Sequence, residues 1–332
     1  MNVKKVALLL IMYCIFLTGC SNHTEKDIIH TFSKKLENSS GYFLKGDLSI
    51  NNNDEIYNYN VEVYYKKDGF YKVIFTNVAN QHTQVILKNT DGVYVLTPSL
   101  NKSFRFQSDW PYQNSQIYLL DALLNDLKKD KSITFEKNEN QYIFQTKVQY
   151  PNNSKLVNQK IIFSKKVYPK KTIVYDKNGA EIMVMTFDKI KFSNKIPKDE
   201  FKIDKIIDMN SSEEMKKKSK LEDVIYPLFV PEGTKLVGEE KIKKGDGQRV
   251  IMNYDGEKSF VLVEETADVF QEFTIIPTSG EPYQLMDTLG VMTNNSLSWS
   301  SDGIEFNIIS DVMSKDEMIE VAQSITGIVS MK

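Results

Sequence analysis

Glu181-Ile182-Met183-Val184-Met185-Thr186-Phe187 places apolar side chains on both sides of one strand: Ile182 and Val184 point one way, Met183, Met185 and Phe187 the other. A strand with one wet face would interleave polar residues instead. Cover on both faces is therefore expected, from a strongly curved sheet closed over helices or from a two-layer sandwich. Upstream, Asn178-Gly179, Asp91-Gly92 and Asp68-Gly69 each separate runs dense in Val, Ile, Tyr and Phe, which is hairpin punctuation. The spacing predicts strands near 42–50, 56–66, 70–77, 82–89, 93–97 and 102–107, then 132–137, 141–149, 158–164, 170–176 and 181–192. Together they make a large antiparallel sheet in sequential hairpin order.

Two helical patterns interrupt the period of two. Thr24 can cap a helix with Asp27 in its first turn and Ile28, Ile29, Phe32 and Leu36 on one face, ending at Gly41. Ser115 is expected to cap a second, with Ile117, Leu120, Leu124 and Leu127 aligned and Trp110-Pro111 turning into it. Residues 208–223, with Lys216-Lys217-Lys218 flanked by acidic residues, read as a solvated linker. Beyond it, 224–332 form a smaller α+β unit with strands near 234–243, 248–254, 258–264 and 303–309. Its terminal helix begins at Ser314, which has capping-box spacing to Glu317.

The chain begins as an exported one. Lys4 and Lys5 precede an apolar run from Val6 to Leu17, too short for the about 20 residues of a spanning helix, so 1–19 read as a signal peptide. Leu17-Thr18-Gly19-Cys20 resembles the bacterial lipobox, in which the cysteine takes a diacylglycerol thioether. Cys20 is thus the expected lipidation site, 20–23 the tether, and the outer face of the cytoplasmic membrane the location. Cys14, the other cysteine, leaves with the signal, so lipidation also removes an otherwise unpaired extracellular thiol.

The roughly 310 residues that remain exceed what one core usually organises, which predicts two domains, 24–207 and 224–332. Lys plus Arg at 42 against Asp plus Glu at 44 gives a net of −2, with no basic field for nucleic acid. With 17 Tyr and 18 Phe the chain is rich in β-formers.

Catalytic chemistry has few carriers. Of three histidines, His23 and His30 fall in the tether and first helix, leaving His82, read as an exposed strand residue. A triad or zinc site needs convergent groups, and Glu264-Glu265, adjacent on a strand, point to opposite faces. Gly245-Asp246-Gly247 lacks the third glycine and helix start of a nucleotide cradle and reads as a turn. Lys102 and Arg105, set between aromatics, could contact nucleic acid in isolation, which has little meaning outside the cell; contact with an anionic lipid or peptide is the better minority reading. The expected catalytic, metal and cofactor residues are therefore none.

Asp91-Gly92-Val93-Tyr94-Val95-Leu96-Thr97-Pro98 running into Asn101-Lys102-Ser103-Phe104-Arg105-Phe106-Gln107-Ser108-Asp109-Trp110-Pro111, with the first helix and the hairpin succession, resembles the LolA-like lipoproteins of spore-forming Gram-positive bacteria over 24–205. The resemblance implies a mainly β fold, an incomplete, strongly curved antiparallel half-barrel with helices as a lid over an apolar cavity. In Gram-negative relatives that cavity carries lipoprotein acyl chains. Val230-Pro231-Glu232-Gly233, Ile304-Glu305-Phe306 and Ser314-Lys315-Asp316-Glu317-Met318 are similar to a small domain of sporulation lipoproteins and sigma-factor regulators. One departure stands out: a lipobox would hold this chain at one membrane, so it is no soluble shuttle.

The expected function is a non-enzymatic, membrane-anchored protein of sporulation, germination or envelope assembly. It would bind a hydrophobic ligand such as a lipid or lipopeptide, or a partner protein, for which the resemblance suggests a cortex-modifying amidase. The competing reading is a peptidoglycan-modifying envelope enzyme or its regulatory subunit.

Overall fold

The computed structural model describes residues 23–52, 55–111, 115–207, 221–245, 247–285 and 288–329. The signal, Cys20 and the lysine run at 216–218 lie outside these. No helix among the described residues is long and apolar enough to cross a membrane.

Helix α1 (Glu25–Glu37) starts with a reciprocal cap: Thr24 Oγ1 accepts from Asp27 N at 3.3 Å, and Asp27 Oδ2 accepts from Thr24 N at 2.8 Å. It stops at Asn38. Gly41 does not end the helix but opens the first strand, where a Cβ would sit 2.1 Å from the Tyr65 carbonyl oxygen, so only glycine fits.

Hairpins then follow in order: β1 (Gly41–Asn52), β2 (Glu55–Lys66), β3 (Phe70–Asn77), β4 (Thr83–Asn89), β5 (Gly92–Thr97) and β6 (Lys102–Phe106). After α2 (Leu120–Lys129) come β7 (Thr134–Lys137), β8 (Gln141–Lys147), β9 (Leu156–Ser164), β10 (Pro169–Asp176) and β11 (Glu181–Ser193). Positive φ at Asp68, Gly69 and Gly179 marks two of the turns expected from sequence. The strand order is β6-β5-β4-β3-β2-β1-β11-β10-β9-β8-β7, so the two hairpin series meet where β1 pairs with β11.

This sheet is open, since its edge strands do not pair with each other. The nine strands from β5 to β8 in this order, about 4.8 Å apart, span about 38 Å. Yet side chains from β1 to β5 and from β8 to β11 join one core with Ile28 and Phe32 of α1 and Leu123 and Leu127 of α2. Two helices about 10 Å wide reach them all only if the sheet bends round them. Met183, Met185 and Phe187 enter this core, as their side of the strand requires.

The opposite face is covered too, where β3, β4 and β5 present Phe70, Ile74, Val85, Leu87, Tyr94 and Leu96. Phe201 and Ile206 close over them from the segment that contains α3 (Ile203–Ile207). Beneath α1 and α2, Phe32, Phe144, Phe163 and Leu123 are fully buried in this core.

The second unit is a seven-stranded sheet: β12 (Thr234–Lys244), β13 (Gly247–Gly256), β14 (Phe260–Thr266), β16 (Glu281–Gln284), β17 (Leu289–Met292), β18 (Ser296–Ser301) and β19 (Ile304–Ile309). Its order is β12-β13-β14-β19-β18-β17-β16, with α4 (Lys315–Val329) on its core. The capping box is present: Ser314 N donates to Glu317 Oε2 at 2.7 Å and Glu317 N to Ser314 Oγ at 3.3 Å.

The two units are joined more intimately than a linker would join them. β15 (Thr274–Thr278) leaves the second unit and pairs in parallel with β6, as a twelfth strand of the first sheet. Leu289 and Val291 of β17 enter the first core. Residues 208–220 lie outside the described ones, but the rest of the expected linker is a packed strap: Leu221 is buried and its N–H donates to Thr266 Oγ1 at 3.1 Å.

Candidate functional site

A pocket enclosing about 750 Å³, part of it open to solvent, lies at the seam between the two units. Its floor continues the helix-facing side of the large sheet, with Ile50 of β1, Ile86 of β4 and Met183 of β11. Trp110 and Tyr118 come from the connection into α2, Leu156 from the start of β9, and Leu289 from β17. The mouth is polar: Gln116, Asn152, Asn153, Glu281, Gln284 and Gln323.

Local hydrogen bonds hold these walls. Ser115 is not the helix cap expected from sequence, because α2 begins five residues later without a side-chain cap. Ser115 N donates to the Gln149 carbonyl and Gln149 N to Ser115 Oγ, each at 2.8 Å, so the two loops that flank the pocket are tied together. Asp126 lies behind them. Burial raises its carboxyl to about 6, against hydrogen bonds from Ser115 and from Gln159 Nε2 at 2.7 Å that favour the charged form.

Across the seam Asn152 Nδ2 donates to Glu281 Oε2 at 3.2 Å, Asn153 Nδ2 to Tyr283 Oη at 3.1 Å, and Lys315 Nζ to Asn152 Oδ1 at 2.9 Å. Burial pushes the phenols of Tyr150 and Tyr283 well above their ordinary range, so both stay neutral. Gln84 is the central staple. Its Oε1 accepts from Leu289 N at 2.6 Å and Thr288 Oγ1 at 3.0 Å, while its Nε2 donates to the Leu289 carbonyl at 3.3 Å and Thr97 Oγ1 at 3.2 Å.

The residues singled out from sequence are dispersed. Lys102 is not available to an anionic ligand: it is buried and bonded to both carboxylate oxygens of Glu305 at 2.9 Å, as part of the seam. Arg105 donates to the Asp91 carbonyl. His82 is neither exposed nor in a strand. It is half-buried in the turn before β4, with Nδ1 3.4 Å from Ser99 Oγ, and burial lowers its pKa. His23 lies edge-on to Tyr142, and His30 is exposed on α1. Among the described residues no group of His, Cys, Asp and Glu is arranged to hold a metal.

Glu264 and Glu265 do face opposite ways. Glu265 meets Arg249 at 2.5 Å on the outer side, while Glu264 is buried and accepts from Ile225 N at 3.0 Å, holding the 221–225 strap. Burial raises the Glu264 carboxyl from 4.5 to about 7. The unfolded chain gives up this proton first, so stability from this group falls as pH rises from 4.5 to about 7 and is level above that. Glu264→Gln is expected to remove a loss of about 3 kcal/mol at full extent. Urea unfolding of both proteins across that range checks it: the difference should grow with pH and then level off.

The family model described as "Sporulation protein YdcC-like" matches residues 2–201, and residues 225–325 match a domain of unknown function, DUF4367. Sporulation protein YdcC of Bacillus subtilis (strain 168) is 37% identical over 332 residues, covering 98% of each chain. Among solved structures, a complex of Pseudomonas aeruginosa MucA and MucB is similar at TM-score 0.31 and 11% identity, over 90% of this chain and 97% of that one. A LolA superfamily protein from Nitrosomonas europaea is similar at TM-score 0.32 and 14% identity, over 55% of this chain and all of that one (100%).

Proposed function

Because this chain belongs to the YdcC-like family of sporulation proteins, we propose that it is a non-catalytic binding protein, anchored through Cys20 to the outer face of the cytoplasmic membrane. In this reading it holds an apolar chain in the pocket at the seam. The observation that carries the reading is the pocket itself: an apolar floor with five amide side chains and one carboxylate, Glu281, in its lining. In this reading the site lies where the second unit meets the helix-facing side of the sheet.

Titration with the neutral fluorescent probe N-phenylnaphthylamine tests this. Saturable binding at one site is expected, and Ile182→Trp, which adds bulk at the pocket wall, is expected to weaken it at least tenfold. Unchanged affinity in that variant would place the probe elsewhere. Release of peptidoglycan fragments by the purified protein alone would favour the enzyme reading.

A second reading, contact with a partner protein, is favoured by a patch beside the edge strand β12. Leu228 is 80% exposed there, Val237 56% and Tyr226 47%, and Tyr226 Oη donates to Glu239 of β12 at 2.6 Å. A photo-crosslinking residue at 228 is expected to join a cortex-modifying amidase when the two are mixed, and one at exposed Lys177 to join none. Equal crosslinking at both positions would remove the patch from consideration.

A further inference from the structure

We propose that the rim at the turn between β9 and β10 docks on an anionic bilayer, with Lys165, Lys166 and Lys170 set against the headgroup phosphates. It rests on the anchoring through Cys20 proposed above and is independent of the pocket. The chain leaves this rim on its way to Cys20, and positive charge is in excess at that place.

His23, the first described residue, lies edge-on to the ring of Tyr142, with centroids 6.1 Å apart. Lys165 Nζ is 4.4 Å from the centroid of the same ring. Three residues carry the chain from His23 to Cys20, and three residues span at most about 11 Å. A lipid on Cys20 therefore enters the bilayer close beside Lys165. Register puts the neighbouring turns at the same end of the sheet: Lys137 opposes Tyr142, Gln141 opposes Ser164 and Pro169 opposes Phe163. Helix α1 lies along this rim, with Phe32 against Phe163 at 5.1 Å and Lys35 Nζ 4.2 Å from the Tyr168 centroid.

Residues 141–175 hold seven lysines and no Asp or Glu, in a chain whose net charge is −2. Lys155 is paired with Glu320 of α4 at the far end of β9. Lys165, Lys166 and Lys170 are exposed at the rim, and no ion pair among the described residues includes them. On α1 the acids Glu25, Asp27 and Glu37 are matched by Lys26, Lys34 and Lys35, and Glu139 after β7 is matched by Lys137. Asp27 is also engaged in the helix cap, and Glu37 accepts from Ser33 and Lys34. The surplus is thus the lysines of the β9–β10 turn and its flank.

This turn holds its lysines outward. Val167 N donates to the Ser164 carbonyl at 2.8 Å and Ser164 N to the Tyr168 carbonyl at 2.9 Å, which leaves Lys165 and Lys166 at the two central positions. Val167 has a φ of 57°, costly for a β-branched residue, and its side chain is buried in the first core. From Ser164 at the rim to Leu156 in the pocket lining, β9 runs nine residues, about 27 Å. Docking by the rim therefore holds the seam off the bilayer. Each lysine near an anionic surface favours attachment about fivefold. Three of them orient a chain that its lipid holds, and salt screens the contact.

The test uses the chain from Ser21 onward, which keeps every described residue, sedimented with vesicles in 20 mM salt. Vesicles of equal parts phosphatidylglycerol and phosphatidylcholine are expected to bind it at least tenfold more tightly than phosphatidylcholine alone, and to release it in 300 mM salt. The double variant Lys165→Glu, Lys166→Glu is expected to lose at least tenfold in affinity with an unchanged urea midpoint. Lys177→Glu, in the turn at the other end of β10, is expected to stay within threefold of the parent.

Equal losses in the two variants, or equal binding to both kinds of vesicle, would overturn the docking surface. Binding to soluble poly(glutamate) but not to the vesicles would overturn it too, in favour of an acidic polymer. Either result leaves the Cys20 anchor standing. A Cys20→Ser protein still firmly held on cell membranes, with the vesicle results as expected, would remove the anchor instead.

Discussion

Replacing Cys20 by serine is expected to move nearly all of the protein from the membrane fraction into the soluble fraction, and to abolish the mass of a diacylglyceryl group on the N-terminal peptide. The proposed anchor is two acyl chains on one sulfur, at about 0.8 kcal/mol per buried methylene, which makes attachment stable where a single chain is marginal. A serine oxygen does not take the thioether, so the whole of that energy is lost at once. The Val6–Leu17 run is too short to replace it as a spanning helix, for which about 20 residues are needed. Fractionation of cells carrying either form, with mass spectrometry of the N-terminal peptide, reads both effects. A serine variant as firmly held as the parent would show that the attachment lies elsewhere.

Gln84→Leu is expected to destabilise the protein by about 3–5 kcal/mol and to separate the unfolding of the two units. The side chain is buried and makes four hydrogen bonds, three of them to Thr288 and Leu289 of the second unit. Leucine fills a similar volume but leaves the Leu289 N–H, the Leu289 carbonyl and two hydroxyls without partners, at about 1–3 kcal/mol each before relaxation. Part of that cost is recovered if the seam opens to water. The parent should therefore unfold in urea in one transition, and the variant in two. A single transition at an unshifted midpoint would mean that the strands alone hold the units together.

The first sheet was largely legible because its turns announce themselves. Asp68-Gly69 and Asn178-Gly179 adopt the positive φ their residues permit, and the runs between such turns become β1 to β11 within about two residues. The two-sided pattern at 181–187 called for cover on both faces: Met183, Met185 and Phe187 find it, while Ile182 and Val184 on the other side are only half-buried. The seam was not legible. β15 pairs with a strand about 170 residues earlier, and β15 and β16 are short and contain Pro277 and Pro282, so no local period reveals them.

Single polar residues at inward positions were the overlooked signal. Gln84 shares the inward side of β4 with Ile86, a place that demands a hydrogen-bond partner, and that partner is the other unit. Ser115 misled in the opposite sense. Its spacing to the leucines fits a cap, but its hydroxyl is taken by Gln149 N. Lys102 looked available between two aromatic residues because the sequence does not show that Glu305 reaches it.

The most direct measurement is a crystal structure of the protein soaked with a terminally brominated fourteen-carbon monoglyceride, with the bromine located by anomalous scattering. The account predicts one bromine peak within the pocket bounded by Ile86, Leu156 and Leu289. A peak beneath α1 and α2, or peaks on the outer surface alone, would contradict it.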